Sequence, residues 1–298
     1  MNKKLLFFIN PNAGHAEIRA TLMDVLTVFT RAGYEPTVHM TAHPHDITEQ
    51  IAARGAQYDL LVCTGGDGTL NEAVSGLMAL PAGQRPPLGY IPGGTVNDVA
   101  STLGLSKDTL RAANEIVTGR PFPMDIGAFG RDRYFAYVAA FGIFTDVPYE
   151  TPQADKRVWG RLAYIMNGAG ALGRLKSTHV RVTYGGKTDE ADVLVGLVTS
   201  TTSVGGFKAT KDLGISLNDG LYEMVLVRDT KNLAEFNLAA SRALRMEFDN
   251  DSFIFARAAE LRFEFDTPTA WTVDGEFGGS VTDVTISNNH RAIDIIVP

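Results

Sequence analysis

Residues 58–72 read Tyr-Asp-Leu-Leu-Val-Cys-Thr-Gly-Gly-Asp-Gly-Thr-Leu-Asn-Glu, and the order of residue types in them decides the architecture of the first half of the chain. Leu60 to Cys63 is continuously apolar, the pattern of a strand buried on both faces. It breaks at Gly65, Gly66 and Gly68, and apolar residues resume at helical spacing at Leu70, Ala73, Val74 and Leu77. Thr69, with Glu72 three residues later, fits a capping box at a helix start. Strand, glycine turn and helix start gather backbone N–H groups and a positive dipole end at one point, which suits a phosphate. A carboxylate at Asp67 would repel that phosphate unless a divalent cation lay between them, so Asp67 implies Mg2+ together with a nucleotide. The plainer alternative is a tight βα turn whose Asp67 faces water.

A second copy of the same grammar follows. Residues 88–100, Leu-Gly-Tyr-Ile-Pro-Gly-Gly-Thr-Val-Asn-Asp-Val-Ala, again run strand, glycine pair, threonine, asparagine and acid, then helix. Upstream, Lys4 to Ile9 reads as a strand that ends in another phosphate-sized turn, Asn10-Pro11-Asn12-Ala13-Gly14. A helix to about Ala32 then carries Leu22, Val25, Leu26 and Phe29 on one face. Thr37 to Thr41 reads as a short strand, Asp46 to Arg54 as a helix capped by Asp46, and Asp108 to Thr118 as a further helix. Strands alternating with helices in this order specify a doubly wound parallel sheet, with ligands at the carboxyl ends of its strands.

Beyond about residue 125 the period changes to two: Val180, Val182, Tyr184; Val193, Val195, Leu197; Leu261, Phe263, Phe265; Val281, Val284, Ile286. Such strands between Gly, Asn and Asp turns suggest an antiparallel sandwich or barrel-like domain, interrupted by helices at about 157–173 and 231–246. The expected fold class is therefore α/β plus β. An N-terminal doubly wound α/β nucleotide-binding domain spans 1–125, and a C-terminal antiparallel β-sandwich domain spans 126–289. The apolar run Ile293 to Val297 is expected to return, within 290–298, to the first domain. Gly185-Gly186-Lys187-Thr188 imitates the end of a Walker A loop, but Arg181 stands where its first glycine belongs, so the pair reads as a hairpin turn.

Bulk properties narrow the class. The chain has 298 residues, 45% hydrophobic and 20% charged, enough for two globular domains. Its single cysteine excludes a disulfide framework, and Cys63 in an apolar strand reads as a packed thiol. The six histidines show no metal-ligand spacing, and a net charge of −7 argues against broad nucleic-acid binding. The first apolar stretch stops at Asn10-Pro11, too short for the core of a signal peptide, and no later stretch is long enough to span a bilayer. A cytoplasmic protein is expected.

Taken together, Asn10 to Gly14, Gly65-Gly66-Asp67-Gly68-Thr69-Leu70-Asn71-Glu72 and Pro92-Gly93-Gly94-Thr95-Val96-Asn97-Asp98 resemble the diacylglycerol kinase catalytic-domain family, which includes bacterial soluble lipid kinases and the sphingosine and ceramide kinases. Further matches are Met124-Asp125-Ile126-Gly127, Gly205-Gly206-Phe207, Asn218-Asp219-Gly220-Leu221 and Val273-Asp274-Gly275-Glu276, so the resemblance covers nearly the whole length. The first glycine motif alone is shared with NAD kinases and phosphofructokinases; the pair is far more specific. The resemblance implies ATP on Asn10, Pro11, Asn12, Ala13, Gly14, Thr41, Gly65, Gly66, Asp67, Gly68, Thr69, Leu70, Asn71 and Thr95. Asp67, Asp98 and Asp125, near the carboxyl ends of predicted strands, are placed to share Mg2+, the alternatives being a solvated helix-start acid at Asp98 and a polar strand end at Asp125.

By the same resemblance Glu276 is the catalytic base. Asp274 and Glu276 alternate around Gly275, which in a strand puts both carboxylates on one side; the alternative is an exposed Asp-Gly hairpin. Ser216, Asp219 and Leu221 resemble the family's structural Mg2+ site. Here the sequence departs from the usual pattern, with Lys211-Asp212-Leu213-Gly214 before the site and Tyr222-Glu223 after Leu221. From Lys156 to Arg181 there are Lys156, Arg157, Arg161, Arg174, Lys176 and Arg181 and no acid, a basic amphipathic stretch that suits either an anionic membrane surface or a solvated helix face. The expected activity is ATP- and Mg2+-dependent phosphorylation of a lipid hydroxyl, with diacylglycerol the foremost acceptor. NAD kinase and a non-catalytic nucleotide- or lipid-binding regulator are the competing readings. Exposed strands could pair in a homodimer, though no sequence feature requires it.

Overall fold

Strong alternation of buried strands and amphipathic helices dictates the layout seen in the computed structural model, which describes residues 3–11, 17–94, 97–142, 176–200, 203–204, 207–208, 216–230, 233–245 and 247–298. The chain divides into two compact units, Met1–Ile126 with Asn289–Pro298, and Gly127–Asn288.

The first unit is built from β1 (Lys3–Ile9), α1 (Glu17–Arg31), β2 (Tyr34–Met40), α2 (Asp46–Arg54), β3 (Leu60–Gly65), α3 (Asp67–Met78), β4 (Leu88–Pro92), α4 (Asp98–Leu103), α5 (Thr109–Thr118) and the start of β5 (Arg120–Phe129). Its sheet runs β2-β1-β3-β4 with every pair parallel. Leu5, Phe7 and Ile9 pack with Val25 and Phe29 of α1 and with Ala112, Ala113 and Ile116 of α5. Leu6 and Phe8 alternate to the opposite face and are equally buried, so both faces are covered. α2 and α3 meet closely, since a Cβ on Gly76 of α3 would lie 2.7 Å from Ile51 of α2. Asp108 caps α5 by accepting from Arg111 N. Cys63 is buried and free, and burial pushes its thiol up, out of the reactive range.

The second unit holds the end of β5, then β6 (Arg133–Phe135), β7 (Val138–Gly142), β8 (Thr178–Tyr184), β9 (Lys187–Thr199), the short pair β10 (Ser203–Val204) and β11 (Phe207–Lys208), β12 (Tyr222–Arg228), α6 (Leu233–Leu244), β13 (Phe253–Ala258), β14 (Glu260–Val273) and most of β15 (Glu276–Val297). The residues of β15 from Asn289 onward belong to the first unit, where Ile295 pairs parallel with Leu88 of β4.

Of the expected sandwich or barrel-like arrangements, a pair of separate large sheets is not what forms among the described residues. β13, β12, β9, β7, β14 and β15 make one continuous antiparallel ladder. The reason lies in strand length: β9 and β14 are long enough for β8 and β7 to lie end to end in the lane between them. The sheet curls over its own core, bringing Phe135 of β6 to Tyr222 of β12 at a ring separation of 5.3 Å. At the centre, Trp271 is fully buried and meets Phe141 at 4.6 Å, Phe129 at 5.2 Å and Phe263 at 5.2 Å. Gly196 faces Phe141 across the ladder because the ring lies over it, 2.0 Å from where a Cβ would stand. The Gly185-Gly186 pair is the β8–β9 hairpin turn, with φ of 53° and 77°.

Trp271→Ala removes the side chain on which these rings converge. It is expected to cost about 3–5 kcal/mol in equilibrium urea unfolding; a loss below about 1 kcal/mol would mean that the aromatic cluster is not the core of this unit.

Candidate nucleotide and catalytic site

Parallel strands end at one edge, so Asn10 and Pro11 after β1, Thr41 after β2, Gly66 after β3 and Gly93 after β4 are neighbours by register alone. Thr41 N donates to Ile9 O at 2.9 Å and Gly93 N to Gly65 O at 2.7 Å. The two glycine turns touch: a Cβ on Gly94 would lie 2.6 Å from Gly66 Cα, which only glycine avoids. α3 begins at Asp67 with Gly66 as its N-cap and no side-chain capping bond, and its first backbone bond runs from Leu70 N to Gly66 O at 3.1 Å. Its opening amides and dipole therefore face the strand-end turns, an arrangement a phosphate fits.

The second turn is fixed by its own side chains. Asn97 has φ 55°, and its amide accepts from Gly94 N at 3.1 Å and donates to Gly94 O at 2.7 Å. Asp67 Oδ2 accepts from Asn97 N at 3.1 Å, tying the start of α3 to the start of α4. Asp98 is buried at the first position of α4. Asp67 and Asp98 thus each open the helix that follows one of two neighbouring parallel strands.

Three local readings change. The capping box does not form, because α3 starts two residues before Thr69; Glu72 instead accepts from His45 N at 3.0 Å. Asp46 does not cap α2 but is its first residue, with left-handed His45 as N-cap. The buried Asp46 carboxylate turns back to accept from Ala42 N at 2.8 Å and from His39 Nε2 at 3.1 Å, while Arg54 donates to His39 Nδ1 at 3.3 Å. Burial pushes the Asp46 carboxyl up, but the Ala42 and His39 bonds, with the nearby histidines, together outweigh it and hold Asp46 below the usual carboxylate range. These bonds set the segment that follows Thr41. Leu70 lies in the core, its N–H committed to the helix. Asn12, Ala13, Gly14 and Thr95 lie outside the described residues, as do Gly205, Gly206, Lys156, Arg157, Arg161 and Arg174. Lys176 is exposed, and Arg181 belongs to β8, where it pairs with Glu190 at 3.0 Å.

Asp125 is fully buried and accepts from Arg291 N at 2.7 Å, while Asn289 Nδ2 donates to Ile126 O at 3.0 Å. That carboxylate ties the end of the first unit's main segment to the returning tail. Asp274 and Glu276 do not share a side. Asp274 and Gly275, with φ of 47° and 85°, form a two-residue hairpin turn between Val273 and Glu276. Asp274 turns inward, buried, and accepts from Ala136 N at 2.6 Å, Tyr137 N at 3.1 Å and Val138 N at 3.0 Å; Glu276 stays exposed. An alternating strand was the wrong local geometry for this pair.

Asp219 spends one oxygen on Leu221 N at 3.0 Å and the other on the guanidinium of Arg257 at 2.6 Å, which also holds Glu223 at 2.9 Å. Ser216 Oγ donates to Asn218 Oδ1 at 2.8 Å. Among the described residues, the positive charge beside Asp219 is thus Arg257 of the facing strand β13. Among the described residues, no three of His, Cys, Asp and Glu gather as metal ligands. Glu223 is directly opposite Arg257 in the β12–β13 ladder, and burial pushes it up to about 7 against the pull of that arginine.

Glycine turns meeting at an uncapped helix start in an α/β unit, followed by a β-rich unit with an exposed acid on a hairpin, define a class of phosphate-handling enzyme. Residues 4–129 match the family described as diacylglycerol kinase catalytic domain. The chain is 37% identical over 302 residues to a diacylglycerol kinase of Bacillus subtilis (strain 168), covering 99% of this chain and 97% of the relative. It is 36% identical over 301 residues to a diacylglycerol kinase of Staphylococcus epidermidis (strain ATCC 12228 / FDA PCI 1200), covering 100% and 93%. The chain therefore belongs to the diacylglycerol kinase family of lipid kinases. A crystal structure of a diacylglycerol kinase from Bacillus anthracis str. Sterne shares the fold, with a TM-score of 0.78 over 99% of this chain and 97% of that one at 21% identity.

Asp274→Ala leaves three buried N–H groups without their acceptor. The expected loss is about 2–4 kcal/mol of unfolding free energy with Glu276 untouched. Unchanged stability with lost turnover would return Asp274 to a chemical role.

Proposed function

We propose that the protein transfers the γ-phosphate of ATP to a lipid hydroxyl, with diacylglycerol as acceptor and phosphatidic acid as product. One observation carries the nucleotide half of this reading: two touching glycine turns beside the uncapped start of a 12-residue helix, with Thr41 and Asn10 at the same strand edge. The family relationship supports the acceptor class.

In this reading the turn from Gly65 to Asn71 and the segments at Asn10 and Thr41 hold the triphosphate through amides and hydroxyls, which add no charge of their own. Asp67 and Asp98 would hold Mg2+, which when bound would neutralise charge on the phosphates. Glu276 accepts the proton of the acceptor hydroxyl, whose oxygen bonds to the γ-phosphorus as the bond to the β–γ bridging oxygen breaks and ADP leaves. Asp274 sets the hairpin that carries Glu276 and Asp125 sets the returning tail. The basic segment from Lys156 to Lys176 is assigned to contact with anionic lipid at the membrane surface. Among the described residues no helix is long and apolar enough to cross a membrane.

With labelled γ-phosphate in ATP, label is expected in phosphatidic acid when diacylglycerol vesicles are supplied. Label in NAD and in no lipid would overturn the assignment. Glu276→Gln is expected to keep ATP affinity while kcat falls by about 10²–10⁴; near-normal turnover would remove Glu276 from the base role.

A further inference from the structure

We propose that Tyr90 is a positioning residue for the nucleotide phosphates, its buried hydroxyl holding the two glycine turns in the register in which they present their amides. This rests on the nucleotide reading above. Tyr90 is 1% exposed on β4, beneath both turns. Its hydroxyl lies 3.0 Å from Gly65 O, the last residue of β3, and 3.1 Å from Asn97 Oδ1, the residue before α4. The Asn97 amide orientation is set independently, since Nδ2 donates to Gly94 O at 2.7 Å. Both neighbours of the hydroxyl are therefore acceptors, and one phenolic proton is shared between the two turns.

Glycine makes such a tie necessary. Gly65, Gly66, Gly93 and Gly94 present bare backbone to one another, without the interlocking side chains that fix most contacts. Alignment then depends on directional bonds: Gly93 N to Gly65 O, Asn97 N to Asp67 Oδ2, and the Tyr90 bridge. Of these the bridge is anchored by a ring packed inside the sheet. Burial, with the Asp67 charge adding to it, pushes the Tyr90 phenol well above its ordinary value, so the hydroxyl stays a donor at any working pH. Without it, Gly65 O keeps Gly93 N and Asn97 Oδ1 keeps Gly94 N, so the turns stay paired but lose their common anchor.

Tyr90→Phe keeps the ring and removes only the hydroxyl. ATP affinity, read by titration calorimetry in Mg2+ buffer, is expected to weaken about three- to tenfold, the worth of one net hydrogen bond. KM for ATP should rise by the same factor while KM for the diacylglycerol acceptor stays put. Amide hydrogen exchange in the protein without nucleotide should quicken at 65–70 and 93–98 and nowhere else in the first unit. Equal ATP affinity in the two proteins would overturn the proposal. So would exchange that quickens throughout the unit, equal losses for ATP and acceptor, or a variant whose far-ultraviolet circular dichroism shows it unfolded, since each marks a purely structural tyrosine. A wild-type protein that binds no ATP would overturn the nucleotide reading instead, and the exchange pattern without nucleotide would still decide whether the bridge aligns the turns.

Discussion

The contact between two runs of bare backbone, Gly65-Gly66 against Gly93-Gly94, is the constraint from which the first unit's chemistry follows. Backbones meet this closely only where no Cβ intervenes, and parallel pairing of β3 with β4 is what brings the two turns level. Once level, both following helices start from the same edge, and Asp67 can reach the amide of Asn97. The glycines are thus determined by that contact: they let one turn lie on the other.

That determination explains which parts of the fold were legible beforehand. The strand Leu60 to Gly65, the helix that follows and the second copy of the motif could be read from periodicity, because a strand buried on both faces leaves an uninterrupted apolar run. Local hydrogen bonding was less legible. Thr69 and Glu72 have the right types and spacing for a capping box, yet the helix begins two residues earlier and Glu72 is drawn to His45 N, which is 27 residues away in sequence. Asp46 was misread for the same reason, its partners His39 and Ala42 being assembled only by the fold. A buried tyrosine inside an otherwise apolar strand was the one available signal for the Tyr90 bridge, since a buried phenol requires an acceptor. Sequence could not say which acceptors.

In the second unit alternation correctly announced antiparallel strands but not how they close. Whether strands form two sheets or one depends on long-range pairing, and only the structure shows β7 and β8 sharing a lane between β9 and β14. The motif around Asp219 shows the same limit. A carboxylate beside a turn is equally suited to a metal or to a guanidinium, and only the fold shows that Arg257, which the β12–β13 register sets directly opposite Glu223, reaches Asp219.

The hairpin at Val273 to Glu276 shows why residue type alone underdetermines role. Two carboxylates separated by one glycine are chemically near-equivalent, and in an extended strand they would face the same way. Positive φ at both Asp274 and Gly275 reverses the chain within two residues, as only a short list of residue types tolerates. The reversal sends one carboxylate inward, where three main-chain donors hold it, and leaves the other exposed at the surface. An acid already holding three N–H groups is a poor candidate to accept a substrate proton, because accepting it would forfeit those bonds. That difference in occupancy separates the two acids: Asp274 holds the turn in shape, and Glu276 stands exposed on the turn so held.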